Sequence, residues 1–240
     1  MTTGAVDRIS TDHSESVRLA FDGSAAFWRD FYGDPSRSAE RLRVFRETLR
    51  SVDARGLWLE AGCGIGVMAQ QSRASGLGVC GIDVSSPLLR EARRITGLPL
   101  VTSGDVLPRE HLRQASVDDL PYADAHFDGA YACSALEYAD DLERALRELS
   151  RVVRTGGHLV FNLPNAFSVF RIARALVRRG HAYLGPVSRW AYWPWEITRL
   201  LERAGWRPEA FSYYREGRPR GPLDGRRWAA SFVLVTARKR

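Results

Sequence analysis

The stretch Leu59-Glu60-Ala61-Gly62-Cys63-Gly64-Ile65-Gly66 decides how this chain is read. It follows a short apolar run, 56–60, that reads as a strand, and it precedes a helical pattern over 67–75. Glycine at every second position lets the backbone approach a ligand closely, and the start of the helix beyond supplies free N–H groups. The segment is therefore a strand-to-helix turn on which something flat or polar rests.

Working outward, short apolar runs alternate with helical stretches. Strands are expected at 77–83, 127–133 and 158–163, and helices at 87–95 and 142–153. Strand and helix in alternation imply crossover connections and a parallel sheet covered on both faces, a doubly wound α/β domain. Upstream, Phe27, Trp28, Phe31, Tyr32, Leu42, Phe45 and Leu49 recur at roughly helical spacing around Gly33-Asp34-Pro35 and predict two helices within 25–52. The first 20 residues are polar without sustained periodicity and read as a loose arm. Downstream, 166–193 forms an insertion with a basic amphipathic helix over 167–179. A helix over 196–204 closed by Gly205 and two strands, 209–214 and 231–237, complete a single domain.

The composition agrees. A chain of 240 residues, 45% hydrophobic and 26% charged, buries one sizeable core and is neither collagen-like, disordered nor coiled-coil. It contains no run of the roughly 18 apolar residues that a membrane span requires, and its first residues lack a secretory pattern, so a cytoplasmic location is expected. Cys63, Cys80 and Cys133 show no CxxC spacing and are expected as reduced thiols without a metal. Residues 1–165 carry a net −4 and residues 166–240 a net +11. Such a gradient suits an anionic partner, or reflects a bias towards arginine in a chain with a single lysine, Lys239.

The details of the turn select among nucleotide ligands. A dinucleotide fingerprint needs glycine at the sixth place from Gly62, where this chain has Val67, and a Walker loop needs a Gly-Lys-Ser/Thr ending that is missing. Glu60 at the mouth of the turn repels pyrophosphate and suits a ligand bearing an ammonium group. Asp83, closing the second strand, is an acceptor able to take both hydroxyls of a ribose. Its alternative role as a helix cap is better filled by Ser85 or Ser86 ahead of Pro87.

Taken in order, Glu60-Ala61-Gly62-Cys63-Gly64-Ile65-Gly66, Gly81-Ile82-Asp83-Val84-Ser85, Asp119-Leu120-Pro121-Tyr122, Phe127-Asp128 and the segment 149–157 resemble the motifs of class I S-adenosylmethionine-dependent methyltransferases. The chain is most similar to the small-molecule branch that includes ubiquinone and menaquinone biosynthesis enzymes, closely over 55–165 and more loosely over 196–205. The resemblance implies a Rossmann-like sheet of seven strands, mostly parallel with one antiparallel strand, and an insertion after the fifth strand that caps the substrate. It also implies S-adenosylmethionine as cofactor, leaving as S-adenosylhomocysteine. Residues implied to hold it are Tyr32, Glu60, Gly62, Cys63, Gly64, Asp83, Val84, Cys133 and Ser134. For the adenine clamp two segments compete. Asp105 has the better spacing from Asp83, whereas Ser116-Val117-Asp118 has the better spacing to Phe127-Asp128 and is preferred.

Methyl transfer from a sulfonium is an in-line displacement that depends mainly on alignment and exclusion of water. No general base is evident. Tyr138 stands where relatives often have histidine; His126 and His158 lie at the opposite strand edge, His111 in an inserted loop, His13 in the arm and His181 in the cap. Glu137 is read mainly as a cap or ion-pair residue. Phe167, Phe170, Trp190, Tyr192, Trp193 and Tyr32 are candidate apolar walls, with Arg171, Arg174, Arg178 or Arg189 to meet an acidic group. The expected activity is O-, N- or C-methylation of a small molecule, without nucleic acid as partner. Two alternatives are a nucleic-acid methyltransferase, suggested by the basic balance, and a cofactor-binding protein such as a cyclase on the same fold. Asn162-Leu163-Pro164-Asn165 is only superficially like the motif that accompanies base methylation.

Overall fold

The computed structural model describes residues 4–102, 107–169, 193–216 and 226–240, with 4–12 by backbone alone. Three helices come first: α1 (Gly4–Asp22), α2 (Ala25–Gly33) and α3 (Pro35–Ser51). The alternating core follows as β1 (Leu57–Ala61), α4 (Val67–Ala74), β2 (Gly78–Asp83), α5 (Ser86–Thr96), β3 (Leu100–Val101), β4 (Leu112–Gln114), β5 (Phe127–Ala132), α6 (Leu142–Val152) and β6 (Val153–Pro164). The chain ends with α7 (Pro194–Arg203), β7 (Trp206–Tyr214) and β8 (Phe232–Lys239).

The sheet has eight strands in the order β3-β4-β2-β1-β5-β6-β8-β7. All pair in parallel except β8, which runs antiparallel to both β6 and β7. The doubly wound architecture is as the sequence predicts, with one strand more. The stretch between β2 and β5, in which two segments compete for the adenine clamp, contributes two strands, β3 against β4 and β4 against β2. The two-residue β3 is too short to leave a periodic trace in the sequence.

Side chains alternate across the sheet, so successive residues feed opposite layers. Leu59, Ala130, Leu159 and Val235 join α6 and α7 on one face, and Trp58, Tyr131, Val160 and Leu234 join Phe45, Leu49 and Met68 of α3 and α4 on the other. Local signals set the helix ends. Ser85 caps α5 and accepts from the Leu88 N–H, while Gly97, at φ 70°, closes it. Asp141 caps α6, accepting from the N–H groups of Glu143 and Arg144. The Phe127-Asp128 motif is structural: Asp128 accepts from the Leu57 N–H at 2.8 Å and pairs with Arg154 at 2.8 Å, holding the start of β1 beside β5.

The N-terminal arm departs from expectation. Residues 4–22 form α1, and its Val17 is buried. Its order is tertiary in origin, since Phe21 packs edge-on against Tyr138 at 5.0 Å and the Ser14 hydroxyl donates to Asp140. Phe21 also packs against the cluster of Trp28, Phe31, Ile65 and Leu88, so α1 is held both by the loop it covers and by the neighbouring helices. The proposed basic helix over 167–179 and most of the cap insertion fall outside the described residues.

Candidate functional site

β1 lies in the middle of the sheet, and the chain moves from it to β2 on one side and later to β5 on the other. Such a switch point leaves a crevice beyond the carboxyl ends of the strands. There a cavity of about 980 Å³ opens, lined by the glycine turn, Asp83 and Val84, Ser116 to Asp118, the end of β5, and α1 and α2. Every cofactor-site residue expected from sequence lines it: Tyr32, Glu60, Gly62, Cys63, Gly64, Asp83, Val84, Ser116, Val117, Asp118, Cys133 and Ser134. Asp105 lies outside the described residues.

The turn works as its glycines imply. Gly62 has φ 71°, and a Cβ there would come 2.3 Å from the Cβ of Ala135. Gly64 has φ 52° and nothing within 4 Å of the position a Cβ would take, so a bare backbone faces the cavity. The Gly64 N–H donates to Asp83 Oδ2 at 2.8 Å, and the Ser85 N–H donates to Asp83 Oδ1 at 2.9 Å. A carboxylate has about four lone-pair sites, so two remain for an incoming diol. Burial raises the Asp83 pKa from 3.8 to about 6, against the pull of these backbone donors.

Glu60 is 1% exposed. It accepts from the Tyr131 hydroxyl at 3.1 Å, and burial holds its carboxyl well above the usual range, so it awaits a positive charge. Arg41 on α3, which the sequence reading did not single out, lines the same cavity at 2% exposure. Its guanidinium pairs with Glu216 and lies over the rings of Phe31, at 5.1 Å, and Phe232, at 5.7 Å. The available signal was spacing: Arg41 sits four residues before Phe45 and eight before Leu49, on the buried face of its helix. Asp83, Glu60 and Arg41 offer a diol acceptor, an anion and a cation, which fits a nucleoside carrying a zwitterionic amino-acid tail.

The other walls are less reactive. Burial pushes the Cys133 thiol up to about 12 and Cys63 well above its ordinary value, so both are neutral. Burial likewise keeps the Tyr32 phenol protonated. Ser134 is held at φ 54° by Asn162, whose Oδ1 accepts from the Ser134 N–H at 2.6 Å. The Asn162 Nδ2 donates to Ser134 Oγ at 2.9 Å and to the Tyr214 hydroxyl at 3.0 Å. Asn162 thus shapes the end of β5. The Asp118 carboxylate accepts from the N–H groups of Asp140 and Asp141 at 3.3 and 3.4 Å, tying the loop after β5 to the loop after β4.

None of the described histidines lines the cavity. His111 is buried, with Nε2 3.0 Å from the Tyr122 hydroxyl and Nδ1 2.8 Å from the Pro108 carbonyl oxygen. His126 stacks on Tyr122, and His158 pairs with Glu209 at 3.3 Å. His13 lies on α1, 3.9 Å from Asp140. Phe167 packs edge-on against Trp193 at 4.5 Å, outside the cavity wall. His181 and the candidate cap residues Phe170, Arg171, Arg174, Arg178, Arg189, Trp190 and Tyr192 fall outside the described residues. Among the described residues no cluster of metal-ligating side chains occurs, and no helix is long and apolar enough to cross a membrane.

These features define an α/β protein built to hold a nucleoside with an amino-acid tail. A family model described as a methyltransferase domain matches residues 59–161. The chain is 32% identical over 184 residues to a malonyl-[acyl-carrier protein] O-methyltransferase of Erwinia pyrifoliae, covering 77% of this chain and 64% of that protein. It is 33% identical over 160 residues to an O-methyltransferase of Aspergillus nomiae, covering 63% and 68%. Magnesium protoporphyrin IX methyltransferase from Synechocystis PCC 6803, crystallised with bound SAH, shares the fold at a TM-score of 0.71 and 13% identity, covering 94% and 99%. The chain belongs to the S-adenosylmethionine-dependent methyltransferases. It spans about three fifths of the length of the curated relatives it matches.

Proposed function

We propose that this chain transfers a methyl group from S-adenosylmethionine to an oxygen of a small-molecule acceptor, and that the acceptor arrives as an oxyanion, a carboxylate or an ionised phenol. The observation that carries the reading is that Glu60, Arg41 and Asp83 line one cavity. Glu60 would hold the ammonium of the cofactor, Arg41 its carboxylate and Asp83 the ribose hydroxyls. Ser116 to Asp118 would meet the adenine. When bound, the cofactor supplies an electrophilic methyl group and a neutral leaving group.

The chain's own contribution is alignment and exclusion of water. Val17 and Phe21 of α1 close one side of the cavity, and Asn162 fixes Ser134 where β5 ends. Of the carboxylates in the described wall, Glu60, Asp83 and Asp118 are assigned to the cofactor and Asp140 accepts from the Ser14 hydroxyl, so the reading uses no separate proton acceptor, which suits an acceptor that is already ionised. The two O-methyltransferases named above support oxygen as the acceptor atom.

The test is calorimetry with S-adenosylmethionine and S-adenosylhomocysteine, followed by incubation with methyl-labelled cofactor and a panel of carboxylic acids, phenols and amines. Label on a carboxylate or phenol is expected. Transfer only to amines, or cofactor binding without transfer to any member of a broad panel, would overturn the acceptor assignment.

A further inference from the structure

Behind the cofactor cavity lies a second cleft, between α3 and α4, with a volume of about 540 Å³. Its floor is apolar, formed by Leu49, Met68 and Leu77. Its rim carries Arg46 and Arg50, one turn apart on α3. Neither arginine has an ion-pair partner among the described residues, because the neighbouring acids are committed elsewhere: Glu47 to Arg43 and Asp53 to Arg55.

A second observation points to a ligand there. Gln71 Oε1 is buried without a hydrogen-bond partner among the described residues and lines the cleft. Ser72 of the same wall, only 4% exposed, lies beside the Tyr131 hydroxyl. A buried polar atom left unsatisfied costs free energy, so Gln71 Oε1 indicates a donor that completes it. Two unpaired cations over an apolar floor, with a hydroxyl and an amide beneath, match a negatively charged head on a short apolar stem.

We propose that this cleft is a second binding site for a compact organic oxyanion, a carboxylate or phosphate ester with a short alkyl or aryl stem. Arg46 and Arg50 take the charged head, the stem lies along Leu49, Met68 and Leu77, and Gln71 Oε1 accepts from a hydroxyl where the ligand carries one. Met68 lines both this cleft and the cofactor cavity, so a ligand here rests against the back of the Glu60 wall.

Calorimetry of the whole chain tests this with hexanoate, hexyl phosphate, inorganic phosphate and hexanol. Saturable binding of hexanoate or hexyl phosphate near one per chain is expected, with phosphate weaker for want of a stem and hexanol weakest for want of a charge. Because Arg46 and Arg50 line this cleft and not the cofactor cavity, the double variant R46A/R50A should lose about tenfold or more in affinity for the charged probe. S-adenosylhomocysteine binding should remain intact in the same variant, which separates this site from the cofactor's. No saturable binding of either charged probe, or equal binding to R46A/R50A, would overturn the proposal.

Discussion

Replacing Asp83 by alanine separates its two jobs. In the wild-type chain its carboxylate accepts two backbone N–H groups, from Gly64 and Ser85, and keeps two lone-pair sites for ligand. Losing charge-assisted bonds to the ribose should weaken cofactor binding by about 1–3 kcal/mol, roughly 5- to 150-fold in dissociation constant. The carboxyl also carries a pH signature. Its pKa in the empty protein is raised from 3.8 to about 6, so between these values the folded chain holds a proton that the unfolded chain has released. Stability contributed by that proton is full below the unfolded value and is lost as pH rises through about 6.

Cofactor binding runs the other way, since the diol needs the ionised form. Affinity should be flat above pH 7 and fall by about tenfold between pH 7 and pH 5, roughly fivefold of it below pH 6. Calorimetry with S-adenosylhomocysteine across this range, on wild type and Asp83→Ala, reads both effects. The variant should bind more weakly and lose most of the slope; any slope left belongs to Glu60, whose pKa is also raised by burial. Unchanged affinity at pH 7.5, or an undiminished slope in the variant, would refute the reasoning.

Other outcomes follow from the same contacts. Arg41→Ala leaves Glu216 buried without its countercharge and should cost about 3–5 kcal/mol in urea unfolding; the double variant R41M/E216L should recover a large part of it. Equal loss in single and double variants would mean that the pair is not coupled. Asn162→Ala strands the Ser134 N–H and the Tyr214 hydroxyl, for about 1–3 kcal/mol, and should also slow methyl transfer through a loosened β5 end. Normal turnover in a folded variant would remove Asn162 from positioning Ser134. Phe21→Ala takes away the contact of α1 with Tyr138 and should speed cofactor release, measured by stopped-flow, while stability of the empty protein changes little. An unaltered release rate would show that α1 is not a wall of the working site.

Much of the site was legible because it is local in the chain. The glycine turn states its own backbone conformation, and an acid closing the next strand sits beside it wherever two parallel strands are adjacent, as β1 and β2 are. Ser116, Val117 and Asp118 reach the cavity rim because β4 pairs with β2 and carries the chain past Asp83. Arg41 was less visible. An arginine on a helix reads as solvated unless the partners that bury it are known, and besides Phe31 on the neighbouring α2 these are Glu216 and Phe232, at the β7–β8 end of the sheet and far away in sequence.

The sequence by itself determined the alternating α/β order, the glycine turn and the acids that flank it, because periodicity, φ-angle demands and charge act over a few residues. Tertiary structure decided that residues 4–22 become a helix over the cavity mouth, that a two-residue edge strand joins the sheet, and which buried arginine lines the cavity. In each of these cases the stabilising contact is made with a residue remote in the chain, and no local pattern encodes it.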